Sequence, residues 1–266
     1  MSDVKGRAAD PHDGLAVKGL HVQFGGRTAV HNLSFQVPTG SITGLIGPNG
    51  AGKTTTFNAC SGLVKPSGGT VGLLGRDISR MSAARRARQG LGRTFQRMEL
   101  CEDLSVAQNV ALGREAGLAG ASPWRQVIAR PGERHDIQAR TQKALDQCGL
   151  LDIASSQVGL LSTGRRRLVE LARGIAADYR ILMLDEPSSG LDTSETEHFA
   201  SILLRLVGES KTGIFLVEHD ISLIRRVCSY IYVLDFGQLI EEGPVGQILS
   251  SSAVAAAYLG SEAAHA

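Results

Sequence analysis

Short apolar runs punctuated by glycine and proline organise the first third of the chain. Leu15 to Phe24 alternates loosely, with Val17, Leu20, Val22 and Phe24 apolar. The Gly25-Gly26 pair after it predicts a hairpin whose returning strand is Ala29 to Val37. Ile42 to Ile46, apolar apart from Thr43, has strand length and reads as a buried strand. Thr54 to Ser61 is expected to be helical, with Gly62 as its stop signal. Lys65-Pro66-Ser67-Gly68-Gly69 predicts a second turn, followed by a short strand over Thr70 to Leu74. Strands on both sides of a helix predict an α/β core with an antiparallel sheet at its edge.

From about Arg97 to Val158 the pattern turns helical, interrupted over Gly113 to Gly132 by a stretch without a period that contains Pro123, Trp124 and Pro131. This predicts a helical insertion into the core, with Trp124 as a packing anchor or a partner contact. Arg165 to Ala177 places Leu168, Leu171, Ala172, Ile175 and Ala176 on one helix face. Ile181 to Leu184 is a short apolar strand that ends in Asp185-Glu186-Pro187, and Gly213 to Val217 is another that ends in Glu218-His219-Asp220. Ligands of open α/β sheets sit outside the carboxyl ends of the strands, so the active site is expected there.

At 266 residues, with 42% hydrophobic and 20% charged residues, the chain has the composition of an ordinary globular protein. A formal charge of +2 is near balance, and the arginine clusters at 85, 86 and 88, at 165 to 167 and at 225 and 226 read as solvated helix faces. No aromatic residues are interleaved with them to stack bases, so nucleic acid is not an expected partner. The four cysteines, at 60, 101, 148 and 228, lack the paired spacing of a zinc or redox motif and are expected to be reduced, mostly buried thiols of a cytosolic protein. Met1 to Gly14 is polar and reads as a disordered arm without the apolar core of a secretion signal. The longest apolar stretch, Ala253 to Leu259, is seven residues. Spanning a bilayer takes roughly 20.

Chemistry enters at Gly47-Pro48-Asn49-Gly50-Ala51-Gly52-Lys53-Thr54, two glycines with four residues between them, then Lys and a hydroxyl. The glycines let main-chain N–H groups converge on phosphate oxygens, the following helix adds the positive end of its dipole, and Lys53 adds a point charge. The pattern predicts binding of a nucleoside triphosphate, with Thr54 and Asp185 holding magnesium. Glu186 is the expected general base or water-orienting group. His219 is placed to reach the terminal phosphate and that water, and Gln96 could ligate magnesium through its amide oxygen.

With the loop, Leu161-Ser162-Thr163-Gly164-Arg165, Asp185-Glu186, Leu191-Asp192 and His219 all in order, the chain resembles the ATP-binding subunit of an ABC transporter over nearly all of residues 15 to 250. The resemblance implies an α/β, RecA-like P-loop NTPase core with an N-terminal antiparallel β subdomain. An inserted helical subdomain would cover about 97–158, with a tail at 251–266. It also implies ATP and Mg2+ as ligands, bound between two such subunits. Phe24 would stack on adenine beside Val30. Gly47 to Thr55 (Gly47, Pro48, Asn49, Gly50, Ala51, Gly52, Lys53, Thr54, Thr55) would wrap the phosphates, and Gln96 would sense magnesium. Ser162, Thr163 and Gly164 would present a helix N-terminus to the γ-phosphate of the opposite subunit, and the Asp192 segment would join the two sites. The family signature is Leu-Ser-Gly-Gly-Gln; here Thr163 replaces its first glycine and Arg165 its glutamine.

Within the family, Phe24-Gly25-Gly26, Thr56-Phe57-Asn58, Gly92-Arg93-Thr94-Phe95-Gln96 and Ala257-Tyr258-Leu259-Gly260 look most like the branched-chain amino acid importer group, whose relatives also take urea or short amides. The implied partners are a second ATPase subunit, identical or related, an integral membrane permease and, indirectly, an extracellular solute-binding protein. The implied location is the cytoplasmic face of the membrane. The alternatives are the ATPase of a lipid or drug exporter and a soluble ATPase of DNA repair or translation. The soluble relatives carry long coiled-coil insertions or two ATPase units, neither of which this chain has.

Overall fold

The computed structural model describes residues 13–94, 99–119, 131–251 and 254. Expectations for residues 1–12, for Gln96 with its flanks, for Trp124 and for the tail after Val254 lie outside that set. Two sheets and a set of helices make three layers. The first sheet is antiparallel, built from β1 (Gly14–Phe24), β2 (Arg27–Pro38), β4 (Gly68–Leu73) and the short β5 (Arg76–Asp77), in the order β2-β1-β4-β5. The second holds β3 (Ile42–Ile46), β6 (Leu91–Arg93), β7 (Ile181–Asp185), β8 (Gly213–Val217), β9 (Tyr230–Asp235) and β10 (Gln238–Pro244), in the order β10-β9-β3-β8-β7-β6. Its strands are parallel except β10, which returns beside β9 as an antiparallel edge.

The central strands are buried at every position and largely apolar because both faces are covered. Side chains alternate between the two cores. Leu45, Met183, Phe215 and Leu234 face the antiparallel sheet and α1 (Lys53–Ser61), whereas Ile46, Leu184, Leu216 and Val233 face the helical layer. Phe35 of β2 and Phe57 of α1 both stack on Phe215, with ring centroids 5.0 and 6.3 Å away, and so lock three elements together. The helical layer contains α3 (Val106–Ala119), α4 (Pro131–Gln147), α5 (Thr163–Ala176), α6 (Thr193–Ser210) and α7 (Ile221–Val227); the short α2 (Ala83–Arg88) and α8 (Val245–Ile248) lie apart from it in sequence. Among the described residues no helix is long and apolar enough to cross a membrane.

Three sequence expectations are corrected. Gly14, assigned to the arm, opens β1, and Asp13 before it accepts a 2.6 Å hydrogen bond from the Thr39 hydroxyl. The aperiodic stretch read from Gly113 is helical as far as Ala119. Gly113 is there for close packing rather than for a turn: a Cβ on it would lie 2.1 Å from the Arg173 carbonyl oxygen of α5. The arginine clusters are not wholly solvated. Arg86 and Arg167 are buried, the latter against Glu170 at 3.1 Å.

Candidate active site

The parallel strands deliver the candidate residues to one edge of the sheet. At the end of β3, Gly47, Gly50 and Gly52 adopt φ of 149°, 81° and 97°. The first and last are also places of close approach. A Cβ on Gly47 would sit 2.2 Å from the Leu234 carbonyl oxygen, and one on Gly52 would sit 2.7 Å from that of Ala29 and 3.5 Å from Val30. Val30, fully buried in β2, is therefore packed beside the loop, while Phe24 at the tip of β1 is 53% exposed. Gly52 caps α1 and leads directly into Lys53, Thr54 and Thr55, so the first free N–H groups of the helix belong to the loop. Lys53 is buried, and its Nζ donates to the carbonyls of Gly47 (2.6 Å) and Pro48 (2.9 Å), closing the loop into a ring. Burial pushes the Lys53 ammonium below its usual range, opposed by the nearby charges of Glu186 and Asp185.

Asp185 ends β7 two strands from the loop, with β8 between. Burial first, then the adjacent Glu186 carboxylate, raise its carboxyl to about 6, against the pull of Arg93 and Lys53. Glu186 sits at φ 47°, a left-handed conformation that costs a non-glycine residue about 1 kcal/mol or more. Pro187 next to it disfavours the right-handed helical region. The Glu186 amide donates to the Val217 carbonyl (2.8 Å), which fixes the turn against β8. His219 follows β8, 60% exposed at its side chain, with Nδ1 3.8 Å from a Glu186 carboxylate oxygen.

Ser162, Thr163, Gly164 and Asp192 form a second group. Ser162 caps α5, its hydroxyl accepting from the Arg165 amide. Asp192 caps α6 in a reciprocal box with Glu195, at 2.8 and 3.1 Å. Gly164 lies against that glutamate, 2.1 Å from Oε1 to where a Cβ would be, and Thr163 abuts Gly190. The segment from Glu186 to Asp192 runs from the first group to the second. Gln96 lies outside the described residues.

Sequence reasoning missed three residues around the site. Arg93, at the end of β6, donates to the Asn58 side chain (3.0 Å) and the Ser61 hydroxyl (2.7 Å) of α1 and lies 5.0 Å over the Phe57 ring. Glu218 is fully buried among N–H and O–H donors from both turns. Arg86 binds carbonyls at the far end of α1. No local pattern marks any of them. The capping box at Asp192 and Glu195, by contrast, is legible as a spacing.

A glycine-rich ring at a helix N-terminus on a parallel sheet, with two acidic residues at the end of the next strand but one, defines a P-loop nucleoside triphosphatase. The ABC transporter family model matches residues 30–189. The chain belongs to the ABC transporter family, as an ATP-binding and ATP-hydrolysing subunit. It is 36% identical over 249 residues to the high-affinity branched-chain amino acid transport ATP-binding protein LivG of Salmonella typhimurium, covering 92% of this chain and 97% of LivG. Against the corresponding BraF of Pseudomonas aeruginosa it is 33% identical, with the same coverage. Among solved structures, the ADP conformation of an ATP-binding cassette of an ABC transporter superposes with a TM-score of 0.81 at 27% identity, covering 93% of this chain and 99% of that one.

If the loop holds phosphate, removing the Lys53 ammonium deletes charge-assisted bonds worth about 1.5–3 kcal/mol. Lys53→Ala is expected to weaken ATP binding by about ten- to a hundredfold in a fluorescent-nucleotide titration. Unchanged affinity would remove the loop from its role.

Proposed function

We propose that this chain powers the import of branched-chain or other hydrophobic amino acids as one of two ATPase subunits docked on the cytoplasmic face of a membrane permease. The solute would reach the permease through an extracellular binding protein. The reading takes residues 15–250 as the ATPase domain, with 97–158 as its helical subdomain. The observation that carries it is the ring at Gly47 to Lys53 facing Asp185 and Glu186, in a chain that aligns with 97% of a branched-chain amino acid transport ATP-binding protein.

In this reading Phe24 stacks on adenine next to Val30, the amides from Gly47 to Thr55 hold the phosphates, and Lys53 neutralises them. Glu186 orients and deprotonates the attacking water, with His219 beside it. Ser162, Thr163, Gly164 and the Asp192 segment serve the nucleotide of the opposite subunit. Its physical basis is that the free N–H groups and dipole at the start of α5 favour an anion.

Magnesium fits the donor set. Among the described residues no three His, Cys, Asp or Glu side chains form a metal cage. Magnesium does not need one, because it is usually held by one or two carboxylates, substrate phosphates and water. Asp185, buried and raised to about 6, gains a reason to stay ionised beside a divalent cation. Thr54, Asp185 and Gln96 would hold the ion, which supplies charge neutralisation at the phosphate oxygens.

Deleting the gene is expected to abolish uptake of labelled leucine, isoleucine or valine, with a permease and a second ATPase copurifying with the tagged chain. Normal uptake of all three, together with a copurifying exporter, would overturn the substrate assignment.

A further inference from the structure

Two turns leave the same sheet edge side by side, because β7 and β8 are paired up to Asp185 and Val217. The first carries Glu186, the second His219. The Glu186 amide still donates to the Val217 carbonyl. Beyond it the turns are bridged by the carboxylate of Glu218, which is 0% exposed. One oxygen accepts from the amide (2.9 Å) and the hydroxyl (2.6 Å) of Ser188, in the turn after Glu186. The other accepts from the amides of His219 (3.0 Å) and Asp220 (3.3 Å).

All four partners are donors. Such a socket suits a carboxylate, whereas an amide would turn an NH2 group toward other N–H groups. Charge-assisted bonds of this kind are roughly twice as strong as neutral ones. The His219 Nδ1 lies 3.8 Å from both the Glu218 and the Glu186 carboxylates, past hydrogen-bond length. The place of the imidazole is therefore set by its backbone, which Glu218 holds.

We propose that Glu218 is a positioning residue, which through Ser188 registers the Glu186 turn against the His219 turn so that both side chains address the same attacking water. This rests on the reading of Glu186 as the water-orienting group. A misplacement on the order of 1 Å costs up to about a hundredfold in rate. Ground-state nucleotide binding, which depends on residues 47 to 55, is untouched by it.

The test measures kcat and KM for ATP, nucleotide affinity and the thermal midpoint of the full chain in its copurified membrane assembly. The variants are Glu218→Gln, Ser188→Ala and Ser188→Thr, with Glu186→Gln in parallel. Ser188→Ala removes one buried hydroxyl, leaves the bond from the residue 188 amide to Glu218 in place, and is expected to fold. It should lower kcat by about tenfold or more with KM and affinity unchanged and the midpoint down only by the few degrees that one lost hydrogen bond costs, and Ser188→Thr, which keeps the hydroxyl, should restore the rate. Glu218→Gln should show the same split more strongly. Wild-type kcat in Ser188→Ala, or no rescue by Ser188→Thr, overturns the inference even if Glu218→Gln fails to fold. Normal hydrolysis by Glu186→Gln would instead overturn the reading beneath it.

Discussion

Glu186→Gln is expected to bind ATP normally and to hydrolyse it about a hundred- to ten-thousandfold more slowly, the range over which a positioned general base contributes. The substitution is nearly isosteric and removes the basicity and the charge. The backbone that aims the side chain, strained at φ 47° and tied to Val217, stays in place. The Lys53 ring is closed by main-chain carbonyls and does not depend on the Glu186 carboxylate. Losing a negative charge near Lys53 and Asp185 leaves phosphate binding intact or slightly tighter, so nucleotide accumulates unhydrolysed between two subunits. Single-turnover release of phosphate, alongside gel filtration with ATP for the trapped pair, measures both halves. Hydrolysis at the parental rate would take Glu186 out of the chemistry.

Arg86→Met is expected to lower stability by about 3 kcal/mol, since an orphaned buried acceptor costs roughly 1–3 kcal/mol and several are orphaned at once. The Arg86 guanidinium is fully buried and donates to the carbonyls of Ala59 (2.8 Å) and Cys60 (2.6 Å) in the last turn of α1. It also donates to those of Ser79 (2.8 Å) and Met81 (3.1 Å) in the segment before α2. It thus satisfies the helix end that Gly62 terminates, and its charge complements the negative end of the dipole. Lysine cannot span both sets with one ammonium, so Arg86→Lys should recover only part of the loss. The readout is the urea midpoint, expected to fall by about 1 M. A midpoint within error of the parent would show that water or a neighbour satisfies those carbonyls after the change.

The strands at Ile42–Ile46 and Gly213–Val217 were legible because fully buried parallel strands are contiguous apolar runs of characteristic length. The glycine-rich loop from Gly47 to Gly52 was legible for a related reason. Its shape is made by consecutive backbone units, so the fragment contains its own geometry. Less was visible further on. The helix Thr193–Ser210 carried readable signals, the Asp192–Glu195 capping spacing and apolar positions at Phe199, Ile202, Leu203 and Leu206, yet it was not drawn from them. The hairpin of Tyr230–Asp235 and Gln238–Pro244 was likewise missed, although Phe236-Gly237 marks its turn.

What the amino-acid order determined by itself is local: a glycine-rich loop leading into a helix, two carboxylates after an apolar strand, an amphipathic helix from Arg165. Composition could not separate a solvated arginine from one buried under a helix, because Arg86 meets its acceptors 26 and 27 residues away. Nor could it mark Glu218, whose Ser188 partner is 30 residues back and reaches it only because two strands lie adjacent in the sheet. Tertiary structure decided these matters, since the cost of burying a polar group depends on which distant donors and acceptors the chain brings to it.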